Sequence, residues 1–402
     1  MEGEATTTKR FPVDKPSGDV ENDVEKVYED LPTLAEIRKA IPKELFDRPL
    51  ATSLFYLVRD IVIVGSLICA AAWGIPMLPT VHLRAVAWCV YWYCCGTAAV
   101  GFWILAHECG HGAFSRYRTL NHAIGLVLHT LVLIPYHSWR ITHAKHHKYT
   151  NHCEKDTAFV PRLEPKSTCQ PSMAGAVMDA PIVSFFVYSL VGWPLYLCTN
   201  LSGQRYAEFT SHYWPNSPIF KPEHRNLVLV SDAALLCWLS VLVGMGLYIS
   251  AWGVFTHFVM PYLVVNYWLV AITYLQHTYS TIPHYRDGAW TFVRGATATV
   301  DIDMGFVINS LQHNISDAHV AHHLFSSMPF YNTEKATPYV RKALGKYYRS
   351  RKAGFVPLEV ISVMADCAFV NSEGARVHYQ KTHVTLSTYI NAALKKLSLK
   401  RD

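Results

Sequence analysis

Two pairs of long, uncharged apolar runs dominate the pattern of the chain. Ile61–Pro79 and Val86–Ala106 are 19 and 21 residues long. At a helical rise of 1.5 Å per residue, each covers about 30 Å, the hydrocarbon thickness of a bilayer. Ala233–Trp252 and Phe255–Leu275 repeat the arrangement, with a tight turn expected at Gly253. Two further runs are poorer. Ala123–Tyr136 has only 14 residues, and the 18 residues of Ile182–Thr199 are interrupted by Gly192 and Pro194. Ahead of the runs, Leu31–Ile41 reads as a short amphipathic helix capped by Thr33 and Glu36. The expected organisation is a flexible tail at 1–30, a membrane domain at 31–370 and a second tail at 371–402.

Composition agrees with membrane residence. Hydrophobic residues make up 51% and charged residues 16% of the chain, against roughly 25% charged in soluble proteins. That excludes a coiled coil, a disordered chain and an extracellular disulfide scaffold. The ten cysteines contain no CxxC pair, and six of them lie in apolar runs as small hydrophobes. The net charge of +6 points to membrane orientation rather than to nucleic acid.

The distribution of that charge predicts a topology. Lys and Arg number nine in 1–60, eight in 107–181, three in 200–226 and fifteen in 276–402, and only Arg84 falls by a tight turn. The positive-inside rule then places both termini and all long segments in the cytosol. The expected fold is all-α: four transmembrane helices in two hairpins under a cytosolic helical cap. The two poorer runs read as interfacial or re-entrant.

Histidine changes the picture from a membrane protein to a metal site. Eight of 21 histidines fall in three clusters: His107-Glu-Cys-Gly-His111, His143-Ala-Lys-His146-His147 and His319-Val-Ala-His322-His323. Spacings of i, i+3 and i+4 put the rings of each cluster on one helix face. The topology puts all three clusters on one side of the membrane. Eight imidazoles exceed what one ion uses, so a site for two ions is expected, of a kind that suits Zn, Cu, Fe or Ni. Neutral ligands also call for nearby carboxylates, with Glu108, Asp156 and Asp317 as candidates. His277, at the end of the fourth run, is a ninth candidate ligand. His313 is a weaker one, and His137, His152 and His257 read as surface, supporting or interfacial residues.

The surroundings of these clusters resemble the membrane fatty acyl desaturases, in particular the methyl-end branch with Δ12 and ω3 specificity. The resemblance rests on WILAHECGHGAFS (103–115), YHSWRITHAKHHK (136–148), TYLQHT (273–278) and HVAHHLFSSMPF (319–330). It implies two non-haem irons held by His107, His111, His143, His146, His147, His277, His319, His322 and His323. It implies dioxygen as co-substrate and cis desaturation of an unsaturated C18 acyl chain, phospholipid-linked or as the coenzyme A ester. Residence in the endoplasmic reticulum membrane goes with it. The front-end branch differs, with Gln opening the third box and a fused cytochrome b5. Here His319 stands at that position and no HPGG haem motif occurs, so electrons are expected from separate cytochrome b5 and its reductase.

Three rivals share some of these features. His107-Glu108-Cys-Gly-His111 also fits the HExxH zinc protease motif, but that leaves two clusters unused. A metal transporter would want ligands inside the bilayer. A hydroxylase of the same superfamily differs only in its product.

Overall fold

A computed structural model describes residues 27–164 and 180–381. The described residues are largely helical, with one antiparallel and one parallel pair of three-residue strands. Four helical runs are long and apolar enough to cross a membrane: Leu50–Met77, Val81–His111, Pro181–Thr199 and Pro222–His277.

The last run has 56 residues and would reach about 84 Å if straight, far beyond ~30 Å of hydrocarbon. It folds back instead. Trp238 and Phe258 lie 5.9 Å apart between ring centroids, where a straight helix would separate them by about 30 Å. The reversal is at Ser250 rather than at the expected Gly253. Ser250 is extended (φ −166°, ψ 115°), and its hydroxyl accepts the Gly253 N–H at 2.9 Å. A serine that leaves one helix and caps the next serves the turn better than a glycine, which offers no acceptor. Thr80 plays the same part between the first two spans by accepting from Leu83 N.

Burial identifies the lipid face. Only 17% of the most apolar window of Leu50–Met77 is buried, and 22% of that in Pro222–His277, against 67% for Val81–His111. The second span is therefore the central post. The fourth packs along it, with Trp268 Nε1 donating to Thr97 Oγ1 at 2.8 Å, a bond worth about 0.6 kcal/mol between membrane helices.

Ring contacts decide which runs cross. His107 and His143 lie 4.9 Å apart, so the chain between them returns to its starting side. It does so through Arg118–Leu131 and Tyr136–Tyr149, which bend by 105°, with Leu133 at φ 58° in the turn. His146 and His277 lie 4.7 Å apart, so the number of crossings between them is even. The hairpin supplies two. Pro181–Thr199 is long enough to cross, yet it cannot do so alone. A π-helical turn at Tyr188–Gly192 breaks it, and it packs against the fourth span and Val356–Asp366. Four spans in two hairpins remain.

The cap begins earlier and ends later than the sequence suggests. Tyr28, assigned to the tail, is buried, stacks on Tyr347 and hydrogen-bonds Tyr285. The capping box forms as expected, with Leu34–Ala40 started by Thr33 and Glu36. The boundary at 370 is also too early. Arg376–His378 pairs antiparallel with Pro283–Tyr285, burying Ala375 and Val377. Single tyrosine and valine contacts carry no periodicity, so neither edge was readable from pattern. The rest of the two expected tails, 1–26 and 382–402, lies outside the described residues.

The topology has a direct check. A glycosylation-acceptor loop inserted after Pro79 or after Ser250 should report one side of the membrane. The same loop after Asn200 or after Gly288 should report the other. Identical labelling at Ser250 and Asn200 would break the four-span arrangement.

Candidate metal centre

The second span runs on past the membrane to carry the first box. It stops because Gly112 adopts φ 71°, a conformation costly for residues with a side chain. Its N–H returns to Cys109 O, and Ala113 N returns to Glu108 O. The second box lies on Tyr136–Tyr149, the far limb of the bent pair. The third lies on the short helix His319–Leu324. His277 is the last residue of the fourth span. Four chain segments thus bring nine imidazoles together.

They form two groups. Ligand atoms of His107, His111, His143, His147 and His322 all lie within 4.8 Å of one another, and so do those of His146, His277 and His323. His319 joins the second group, with its Nε2 3.0 Å from Nε2 of His277. In the first group, Nε2 of His107 faces that of His111 at 3.1 Å, and His143 faces His147 at 3.1 Å. A pair of ring nitrogens can share one hydrogen at most, which leaves lone pairs converging. Nε2 of His322 and of His323 are buried with no hydrogen-bond partner among the described residues. Converging, unpaired imidazole nitrogens are what a metal ion needs, and the residues fit two such ions.

Two of the outer nitrogens, those of His146 and His323, are held by specific partners. Asp156, wholly buried, places Oδ1 2.6 Å from Nδ1 of His146. The N–H groups of Asn151 and Thr157 fix the same carboxylate. The Thr150 hydroxyl donates to His146 O at 2.8 Å. Its single proton is used there, so at 3.1 Å it accepts from Nδ1–H of His323. Both arrangements leave Nε2 free for an ion. Glu108 Oε2 accepts from Phe330 N at 3.0 Å, and Oε1 lies 3.3 Å from Nδ1 of His107, close enough for electrostatic contact but not in hydrogen-bond geometry. Glu108 thus lies on the Nδ1 side of His107, away from the converging Nε2 atoms beside which the base of a zinc protease would be needed. Asp317 does not touch a box histidine; it bonds Asn309 and Asn314.

Other sequence candidates fall outside both groups. His313 bonds Asp60. His152 pairs with Asp287, His137 packs on Tyr136, and His257 lies beside Trp88 towards the opposite end of its span. Among the cations of the second-box helix, Lys148 is exposed, whereas Arg140 is half-buried and Lys145 bonds Gln204. Sequence reasoning passed over Thr150, Phe330 and Asp60. Only Asp60 left a signal, as a charge at the edge of an apolar run.

Burial, and then the neighbouring imidazoles, hold His319, His322 and His323 well below their ordinary value of 6.5. The unfolded chain takes up protons near 6.5 and the folded one does not, so stability falls as pH drops below that value. Metal-free protein in detergent should melt at progressively lower temperature between about pH 7 and pH 5. A flat profile would show that these rings do not resist protonation. Separately, Asp156→Asn should weaken metal retention about 10–100-fold in a chelator competition.

Comparison with known proteins agrees with this geometry. The fatty acid desaturase family model matches residues 86–355, which include all nine histidines. The chain is 42% identical to a Delta(12) fatty acid desaturase of Mortierella isabellina over 87% of this chain and 90% of that protein. It is 40% identical to the Delta(12)-fatty-acid desaturase of Arabidopsis thaliana over 86% of each. It is 42% identical to the endoplasmic reticulum omega-6 fatty acid desaturase of Brassica juncea, over 79% of this chain and 82% of that one. With the histidine groups, the spans and the sequence match in accord, this chain belongs to the fatty acid desaturase family.

Proposed function

We propose that the chain is a Δ12 desaturase of the endoplasmic reticulum membrane, converting oleoyl to linoleoyl chains. The observation that carries the reading is the pair of imidazole groups seated where the spans end, in a chain whose relatives are named for Δ12 desaturation. The balanced reaction takes –CH2–CH2– and O2 with two electrons and two protons, and gives cis –CH=CH– and two waters.

Two irons would be held by His107, His111, His143, His147 and His322 on one side and by His146, His277, His319 and His323 on the other. Such a pair supplies the oxidising power that a methylene demands, which acid–base catalysis at ~10²–10⁴-fold does not. The chain supplies geometry and dryness. Trp103 and Trp139 lie 5.6 and 5.8 Å from the His107 ring, and Trp193 packs on both tryptophans. Phe159 stacks on His277 at 4.8 Å. These walls exclude water and keep the rings from turning. Asp156 and Thr150 hold protons on the outer nitrogens of His146 and His323.

Thirty-five of the 36 Lys and Arg residues, all but Arg84, lie away from the two tight turns. This charge bias supports a cytosolic cap. Electrons would then come from cytochrome b5 and its reductase, with acyl lipid entering from the membrane. Removing cytochrome b5 from membranes should lower turnover, and adding it back should restore it.

Expression in a yeast lacking polyunsaturated lipids should yield linoleoyl chains. A hydroxylated product would favour the hydroxylase reading, and a new double bond only in fed linoleate would favour ω3 specificity. His277→Ala should abolish product and lower iron content while the protein still inserts. His257→Ala, towards the other end of the span, should stay within a few-fold of wild type. Near-normal turnover in His277→Ala would remove that residue from the ligand set.

A further inference from the structure

We propose that Asp60 and His313, which belong to none of the three boxes, are positioning residues for the five-histidine group. They hold Phe330, whose backbone N–H fixes the Glu108 carboxylate against Nδ1 of His107. The inference rests on the two-metal reading above.

Asp60 lies inside Leu50–Met77 and is 2% exposed. A buried carboxylate within a membrane helix, here at the edge of its apolar run, is a functional candidate by default. The fold makes room for it. A Cβ on Gly101 of the second span would lie 2.6 Å from Asp60 Oδ2, so a side chain there would displace the carboxylate. Arg59 Nη2 donates to Asp60 Oδ1 at 2.8 Å, and His313 Nε2 lies 2.6 Å from Oδ2. Arg59 Nη2 also lies 3.3 Å from His313 Nδ1. Guanidinium only donates, so Nδ1 accepts and Nε2 carries the ring proton towards Asp60. His313 and Asn314 both take positive φ, 51° and 56°. Such conformations are costly for residues other than glycine and persist where surroundings enforce them.

The path from this pair to the metal centre is short. The His313 ring lies 4.4 Å from that of Phe330, and Tyr56 meets Phe330 edge-on at 4.8 Å. Phe330 opens the helix Phe330–Leu344, where the N–H groups have no partner within the helix and attract a carboxylate. Its N–H takes Glu108 Oε2 at 3.0 Å, leaving Oε1 3.3 Å from Nδ1 of His107. The path ends in the five-histidine group. The other group has its own supports, Asp156 and Thr150. A purely structural ion pair would affect both groups alike, and this one should not.

The test is iron release from the purified, iron-loaded protein to a chelator, followed alongside thermal melting and the absorption spectrum of the cobalt-substituted form. Wild type should release two irons per chain in separable phases. Asp60→Asn and His313→Gln should speed one phase by up to about 10-fold and leave the other unchanged, with matching change in part of the cobalt spectrum. Asp156→Asn should speed the opposite phase. Should Asp60→Asn fail to fold, Tyr56→Leu carries the test, since it loosens Phe330 without removing a polar group. Variants that release both irons at wild-type rates, or both faster in equal measure, overturn the inference. Wild-type protein with fewer than two irons overturns the two-metal reading, and the inference with it.

Discussion

Nine imidazoles from four chain segments share one small volume, with lone pairs that converge where metal ions would bind. Nε2 atoms at 3.0–3.1 Å in three pairs can share one hydrogen each, which leaves the remaining lone pairs converging without a donor, and protonating them would put like charges together in a buried site. That constraint governs the rest of the fold. It requires four separate segments to end at one level. It forbids an odd number of membrane crossings between any two of them.

The spans meet the requirement by being unequal. Leu50–Met77 and the second hairpin turn mostly towards lipid, while Val81–His111 is buried over two thirds of its apolar window. The buried span can carry the first box beyond the bilayer because its neighbours shield it. The two apolar runs that do not cross are what hold the remaining boxes in place. The bent pair returns the second box to the first, and Pro181–Thr199 lies against the fourth span that delivers His277. A run that passes a hydropathy test can thus serve as a buttress.

Around the imidazoles, the chain uses few groups and fixes each firmly. Asp156, Thr150 and Glu108 each face the outer nitrogen of one box histidine, and each is itself held by a backbone or hydroxyl contact. Because the rings stay neutral in a dry, aromatic surround, proton placement on Nδ1 decides which nitrogen faces inward. The aromatic walls then serve two ends: they lower the local dielectric and keep the rings from rotating.

Much of this was legible in the sequence. Uncharged runs of 19 to 21 residues and the Lys/Arg bias determined the hairpins, because bilayer thickness and charge orientation act on local composition. The boxes were legible because helical spacing puts those rings on one face, and His277 was a candidate because it is an ionisable group at the end of an apolar run. Tertiary structure alone decided the division into groups of five and four, since it depends on where four distant segments meet. It alone moved the turn from Gly253 to Ser250, because a side-chain cap outweighed glycine's freedom. It brought Tyr28 and Arg376–His378 into the cap through isolated contacts that leave no periodic trace. It also paired Asp60 with His313 across 253 residues, a partnership that no local pattern records.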